Sequence, residues 1–496
     1  MIDKNKKFYI TTSIAYTNAP PHIGFALELV QADALARYHK SLGEDVFFLT
    51  GTDEHGIKIS KTAEGAGKEP QKFVDELAGK FINLTKILNI SNNDFIRTTD
   101  RRKHWPIVLK IWRRLEKKGD IYKENYEGYY CVGCEAYITK KTKDLILTKC
   151  SVHPNLTPIL IKEENYFFKL SKYAERIKKL IEKNRIKIIP ETKKNEILEI
   201  LKQEWTDFGD NFKKKKGLKD VSFSRSKENL KWGIPVPGDN SQIIYVWGDA
   251  LVNYLSALGY PDGKKFYKYW PVDIHCIGKD ILKFHALIWP AMLLSLGMKL
   301  PKAILVHGFI NVNGQKMSKS LGNVVDPFEL VNKYGTDAVR YYLLREISPI
   351  EDGDFTYEKF EARYNSDLAG GIGNLVARLL GIVENIEIKK SRPTKKTSEK
   401  IKRIKKNYAS AMKKFRFNEA LVITQELISY CDKYINEEKL WETRKIEVIN
   451  DLFFALNEIG GLLQPFLPET AEKIKKAIKE QKSETLFPRI IKTNHS

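Results

Sequence analysis

"FYITTSIAYTNAPPHIGFALELV", residues 8–30, decides the fold. Phe8 and Ile10 are alternating apolar positions, as in a strand with a buried face. Pro20 and Pro21 end that pattern. Behind them Ala26, Leu29 and Val30 fall at i, i+3 and i+4, the spacing of one helical face. "DVFFLTG" (45–51) then closes a short apolar run on Thr-Gly, the form of a buried parallel strand. Strand, helix and strand in about fifty residues make a βαβ unit.

Working outward, "VDIHCIG" (272–278) and "AILVHGF" (303–309) read as further strands, with "ILKFHALIWPAML" as the helix between them. The stretch between the two α/β parts has another character. It holds a cysteine cluster and the run "KKKKG" (213–217). One α/β domain split by an insertion is expected. Beyond about residue 360 the pattern turns helical. Leu421, Ile428 and Ile435 recur every seven residues, backed by Ala420, Leu427 and Tyr434, and Cys431 falls on the same face as a core residue. Residues 389–416 carry thirteen Lys or Arg against one Glu, a basic strip leading into those helices.

With 496 residues the chain exceeds one core, and several domains are expected. No run approaches the ~18 consecutive apolar residues of a membrane span. The start, "MIDKNKKFYI", has no signal-peptide apolar region, so a cytoplasmic protein is expected. The formal net charge of +22 suits a polyanionic partner, although a lysine-biased solvated surface accounts for charge equally simply.

Five cysteines, an odd and sparse set, argue against a disulfide framework. Cys131-x2-Cys134 and Cys150-x2-His153, fifteen residues apart, have instead the spacing of a tetrahedral structural Zn²⁺ site, one per chain, with no position left open for catalysis.

Three loops and one lysine-rich segment carry candidate chemistry. His22 and Gly24 sit where strand gives way to helix, and free N–H groups there suit phosphate, with Gly24 admitting a ligand close to the backbone. "GTDEHG" (51–56) follows a strand, so Asp53 can meet a cationic group such as an ammonium. Asp280, in "GKDILKFH" (278–285), also follows a strand and can bond a ribose. "INVNGQKMSKSLGN" (310–323) has no apolar periodicity, and packs Lys316, Ser318, Lys319 and Ser320 into five residues between Gly314 and Gly322. A mobile phosphate-binding loop is expected. Singly, each of these is as readily an ordinary polar loop; together they make one cleft.

"HIGF" (22–25) and "KMSKS" (316–320) on a split α/β domain resemble the class I aminoacyl-tRNA synthetases. Within that class, the order and spacing of "AYTNAPPHIG", "GTDEHG", the single knuckle, "KWGIPVPGD", "YVWGDALVNYLSALGY", "GKDILKFHALIWPAML", "KMSKSLGN" and "NLVAR" resemble the methionyl-tRNA synthetases over nearly the whole chain. The resemblance implies an α/β architecture: a Rossmann-like parallel-sheet catalytic domain in two halves (1–115 and 231–310), a zinc-knuckle insertion (116–230), a lysine-loop and stem-contact region (311–360) and an all-α anticodon-binding bundle (361–496).

It implies that ATP, with Mg²⁺, and L-methionine form methionyl-adenylate, and that methionine then passes to the 3′ end of tRNA(Met), initiator tRNA included. Lys319 would hold the leaving phosphates, assisted by Lys316 and Ser318, and His22 would meet the transferring phosphate. By the same match Ile14, Tyr16, Trp247, Ala250, Tyr254, His285 and Trp289 build the methionine pocket and Asp53 holds the amino group. Asn374, Arg378 and Trp441 match anticodon-reading positions. No appended dimerisation module is visible, so a monomer is expected.

Two positions depart from the pattern: Phe25 replaces the second signature histidine, and Leu251 stands where some members carry proline. Synthetases for isoleucine, valine or leucine carry a large editing insertion for which this chain has no room. A cysteinyl enzyme places zinc in the substrate pocket, and an inactive RNA-binding module is disfavoured by the intact lysine loop.

Overall fold

The computed structural model describes residues 6–132, 136–137, 156–206, 214–317, 321–383, 392–482 and 484–491. Six parallel strands form the central sheet: β1 (Lys7–Tyr16), β2 (Asp45–Asp53), β3 (Asp94–Arg97), β4 (Lys187–Ile189), β5 (Ile274–Gly278) and β6 (Ala303–His307), in the order β3-β2-β1-β5-β6-β4. The chain winds to one side of β1 first and to the other side later. The crevice therefore opens between the carboxyl ends of β1 and β5, where such sheets bind ligands.

Alternation along the strands sorts side chains onto two faces. Phe8, Ile10, Val46, Phe48, Ile274, Cys276 and Leu305 join one apolar cluster, and Tyr9, Phe47, Leu49, Ile277, Ile304 and Val306 the other. On the first face lies α1 (Ile23–Ser41), whose long buried run includes Ala26, Leu29 and Val30.

The strands Ile121–Cys131 and Ile159–Phe168 pair antiparallel from Ile121↔Phe168 to Tyr130↔Ile159. The chain then returns to the main body earlier than the expected insertion limits of 116–230. Ile177, Ile181, Ile186, Ile188 and Ile197 pack on the sheet's second face, and β4 pairs with β6 as an edge strand. Three residues are too few to carry a readable period.

The helical region contains α2 (Thr336–Arg345), α3 (Asn374–Ile382), α4 (Lys395–Lys413), α5 (Phe417–Glu437), α6 (Ile446–Leu463) and α7 (Pro468–Glu480). Ala420, Leu421, Leu427, Ile428, Cys431 and Ile435 of α5 are buried, as are Thr397, Ile401, Ile404 and Tyr408 of α4. The lysines of α4 face outward. This bundle shares one apolar cluster with the first face of the sheet. A fully buried Arg340 on α2 pins the two together. Its guanidinium donates to Leu88 O (3.0 Å), Phe466 O (2.7 Å) and Pro465 O (3.1 Å), and pairs with Asp33 of α1 at 2.8 Å. Among the described residues no helix is long and apolar enough to cross a membrane.

Candidate active site

His22 occupies the N-cap of α1 in extended backbone, and its Nδ1 accepts from the Gly24 N–H at 3.1 Å. That bond leaves the proton on Nε2, so the ring presents a donor away from the helix. Desolvation lowers its pKa and favours the neutral imidazole.

One expectation about this turn is corrected. The first N–H groups of α1 are not free: Ile23 donates to Val325 O (3.2 Å), Gly24 to His22 Nδ1, and Phe25 and Ala26 to His22 O (3.0 and 3.2 Å). Gly24 lies close to two side chains. A Cβ there would lie 2.9 Å from His22 Cε1 and 3.7 Å from Met317 Cε, so its space is shared by the capping ring and the lysine loop. His22 and the positive end of the helix remain to meet an anion.

The lysine segment also differs from the loop expected. Its start is a tight hairpin, with Asn311 opposite Lys316. Asn313 (φ 52°) and Gly314 (φ 72°) both turn left-handed, the demand of a two-residue turn that Asn-Gly meets at low cost. Lys316 stands exposed at its end, 5.6 Å from the centre of the Phe309 ring, which Lys279 approaches to 4.4 Å. Ser318 and Lys319 lie outside the described residues. Asp280 stands at the crevice mouth. Desolvation raises its pKa and Glu28 adds to this, while His307 and Lys316 act the other way.

Ile14 and Tyr16 are alternate residues of β1, and Tyr16 lies opposite Asp53 at the end of β2. Thr17 bonds Asp53 O through both its N–H and its hydroxyl, each at 3.0 Å, which holds the two strand ends together. Asp53 is buried and close enough to Tyr254 to influence its titration.

Trp247 stacks flat on Phe284 at 3.7 Å. Tyr254 Oη lies 2.7 Å from His285 Nε2, and His285 Nδ1 lies 3.1 Å from Ile281 O. The carbonyl can only accept, so Nδ1 carries the proton and the tyrosine hydroxyl donates to Nε2. Burial pushes the His285 pKa down to about 4, so this ring is neutral. Trp289 is fully buried and donates from Nε1 to His275 at 3.3 Å. Ala250 is buried on the short helix Val246–Ala250. The result is a cluster of aromatic and neutral groups with one carboxylate close by. It suits an apolar, polarizable side chain carrying an ammonium.

Sequence reasoning missed a buried polar cluster beside this aromatic one. Asp249 bridges His55 Nδ1 and His104 Nε2, both at 2.6 Å, and His104 Nδ1 reaches Ser256 Oγ at 3.0 Å. His55 belongs to "GTDEHG" and Asp249 to the helix of Trp247, so the cluster fixes one motif against the other. It also missed Glu54, which Arg97 holds through two bonds of 2.7 and 2.9 Å.

Of the knuckle positions, Cys131 is buried at the end of a hairpin strand, opposite Ala136, and Cys134, Cys150 and His153 lie outside the described residues. The adjacent Val132 packs with Ile57, Leu230, Ile243 and Trp232. In the helical region Asn374 opens α3. Arg378, one turn on, bonds Asn436 (2.7 Å) and Asp432 (3.3 Å) of α5. Trp441 is 49% exposed on a one-turn helix, Leu440–Thr443, set between the left-handed residues Lys439 and Arg444.

A parallel-sheet crevice with a histidine-capped helix, a lysine hairpin and an attached helical bundle defines a class I aminoacyl-tRNA synthetase. The family described as "tRNA synthetases class I (M)" matches residues 8–150 and 139–380, and "Anticodon-binding domain of tRNA ligase" matches 395–492. The chain is 41% identical over 489 residues to a methionine–tRNA ligase of Thermotoga maritima, spanning 94% of this chain and 74% of that one. It is 41% identical to that of Brucella suis, over 95% and 91% of the two chains. Mycobacterium tuberculosis methionyl-tRNA synthetase in complex with methionyl-adenylate superposes with a TM-score of 0.86 at 36% identity, over 95% of this chain and 93% of that one. The chain belongs to the methionyl-tRNA synthetase family.

Proposed function

We infer that this protein joins L-methionine to tRNA(Met) in two steps. The methionine carboxylate attacks the α-phosphate of ATP, forming methionyl-adenylate and releasing pyrophosphate. A ribose hydroxyl at the tRNA 3′ end then attacks the acyl carbon and AMP leaves. The observation that carries this reading is the neutral aromatic cluster with Asp53 close by, at the carboxyl ends of the sheet that also bear a histidine-capped helix.

The protein need supply no nucleophile; it positions reactants and offsets charge that spreads over phosphate. His22 donates from Nε2 to the transferring phosphate. Lys319, with Lys316 and Ser318, receives the departing pyrophosphate, and Mg²⁺ arrives with ATP. Asp280 takes the ribose and Asp53 the methionine ammonium. Tyr254 and His285, each bonded to the other, line the methionine pocket with no charge to repel a thioether.

Cys131, Cys134, Cys150 and His153 hold one structural Zn²⁺. Three thiolates and an imidazole are the donor set that ion takes. The burial of Cys131 supports its part in that site. Purified without added zinc, the protein should carry about one Zn²⁺ per chain. Cys134→Ser should lose it and lower charging while sparing ATP binding; a metal-free, fully active enzyme ends the idea.

Asn374, Arg378 and Trp441 read the anticodon, initiator tRNA included, and the protein acts as a cytoplasmic monomer. Methionine-dependent exchange between ATP and pyrophosphate, followed by charging of tRNA(Met) transcripts, tests the whole reading. Exchange with another amino acid, or none, overturns it.

A further inference from the structure

We infer that Glu28 and His307 are positioning residues of the activation step: a buried carboxylate–imidazolium pair that locks the irregular part of β1, the helix α1 and the end of β6 into one unit. This rests on the activation reading above.

The pair begins with a fault in the sheet. The register of β1 against β2 shifts between Thr11 and Ile14. Ser13 lies in that bulge, and its N–H and hydroxyl both donate to Glu28 Oε1, at 2.8 and 2.6 Å. Bulges beside active sites re-aim the side chains that follow them. Here those are Ile14 and Tyr16. Glu28 itself comes from α1, whose N-cap is His22.

The second carboxylate oxygen, Oε2, lies 2.9 Å from His307 Nε2, and His307 Nδ1 lies 2.8 Å from Gly308 O. A carbonyl only accepts, so Nδ1 carries a proton. Nε2 lies against the Glu28 carboxylate, whose oxygens accept, so it carries one too. A ring that donates on both sides is an imidazolium. Burial alone opposes that charge, but the Glu28 bond and charge and the Gly308 carbonyl outweigh it, and the pKa is raised.

Both strand ends are closely packed. A Cβ on Gly308 would meet Glu351 C and O at 2.2 Å, and one on Gly278 would meet Asp280 Oδ1 at 2.7 Å and the His307 ring at 3.8 Å. Among the described residues, the other titratable groups that feel the pair are Asp280, Cys276, Tyr254 and the neutral His285. One buried pair thus sets Ile14 and Tyr16, His22 and Asp280 at once.

The doubly donating form is complete below the ordinary histidine value of 6.5 and is lost as pH rises through the raised value in the fold. Exchange should therefore show an alkaline limb. Glu28→Ala should lower kcat/KM for methionine and for ATP alike, by about 100-fold, the scale of a small misplacement of reacting groups. Glu28→Gln should recover most of that loss and lack the alkaline limb, because its amide can donate to a neutral ring. Independently of activity, ¹⁵N spectra of the wild-type imidazoles, with His307→Gln as the assignment control, should show both His307 nitrogens protonated at neutral pH. A neutral His307, an unchanged alkaline limb in Glu28→Gln, or unaltered kinetics in Glu28→Ala overturns the proposal. Loss of methionine-dependent exchange in the wild type would instead overturn the activation reading, leaving the spectra to judge the pair.

Discussion

Position 25 holds a phenylalanine where the class signature has its second histidine. Its ring meets Phe81 edge-on at 5.1 Å and packs against the core of the first sheet face. An aromatic pair is worth about 0.5–1.5 kcal/mol beyond the area it buries. Phe25→His should therefore lower the melting temperature and leave the exchange rate flat or reduced. A faster rate at an unchanged melting temperature would mean that an imidazole is missing. Lys319→Ala should slow adenylate formation by roughly 10²–10³-fold, the scale of one lost transition-state charge contact, with methionine affinity unaltered. Equal weakening of methionine binding would contradict a phosphate role. The places of His22, Asp53 and Asp280 in the fold were legible because each ends a strand or opens a helix, which local sequence marks. Glu28 and His307 were not: they lie 279 residues apart, and a glutamate in a helix reads as a solvated face until its partner is known. Asp249 and His104, 145 residues apart, were hidden for the same reason.

Among the elements, the strands and helices with sustained periodicity were readable, and those that depend on a neighbour were not. β1 and β2 announce themselves by apolar alternation and α5 by its seven-residue recurrence. The bulge in β1 has no local signature, and β4 has three residues and exists only because β6 offers an edge. The Asn-Gly turn at 313–314 was a hairpin signal present in plain sight, masked by the lysines that follow it. The strongest link between elements is α2 to α1. Removing one partner of a buried ion pair costs about 3–5 kcal/mol, because the other charge stays behind. Arg340→Met should lower stability in denaturant unfolding, by less than that figure because Asp33 keeps its second partner, Arg37, at 2.7 Å. If Arg340→Met alone is neutral, the guanidinium is not holding the two helices.

Across the whole molecule, the crevice that activates methionine and the surface that meets the anticodon are far apart in the chain, so each can be tested alone. Trp441 is half-exposed on a single turn between two left-handed residues, which suits the base stacking proposed for it. Losing one stacked base is worth about 1–3 kcal/mol, so Trp441→Ala should cut charging of tRNA(Met) roughly 5- to 150-fold and leave exchange untouched. A mutant that keeps full preference for the CAU anticodon would place recognition elsewhere. The two family matches meet between residues 380 and 395, which invites cutting the gene there into a catalytic piece and an RNA-binding piece. Arg340 forbids that surgery. Two of the oxygens that bind its guanidinium belong to Pro465 and Phe466, and two to Leu88 and Asp33. A fragment ending at 380 keeps the cation and loses half its partners, so a cut that looks modular on paper should leave a destabilised piece.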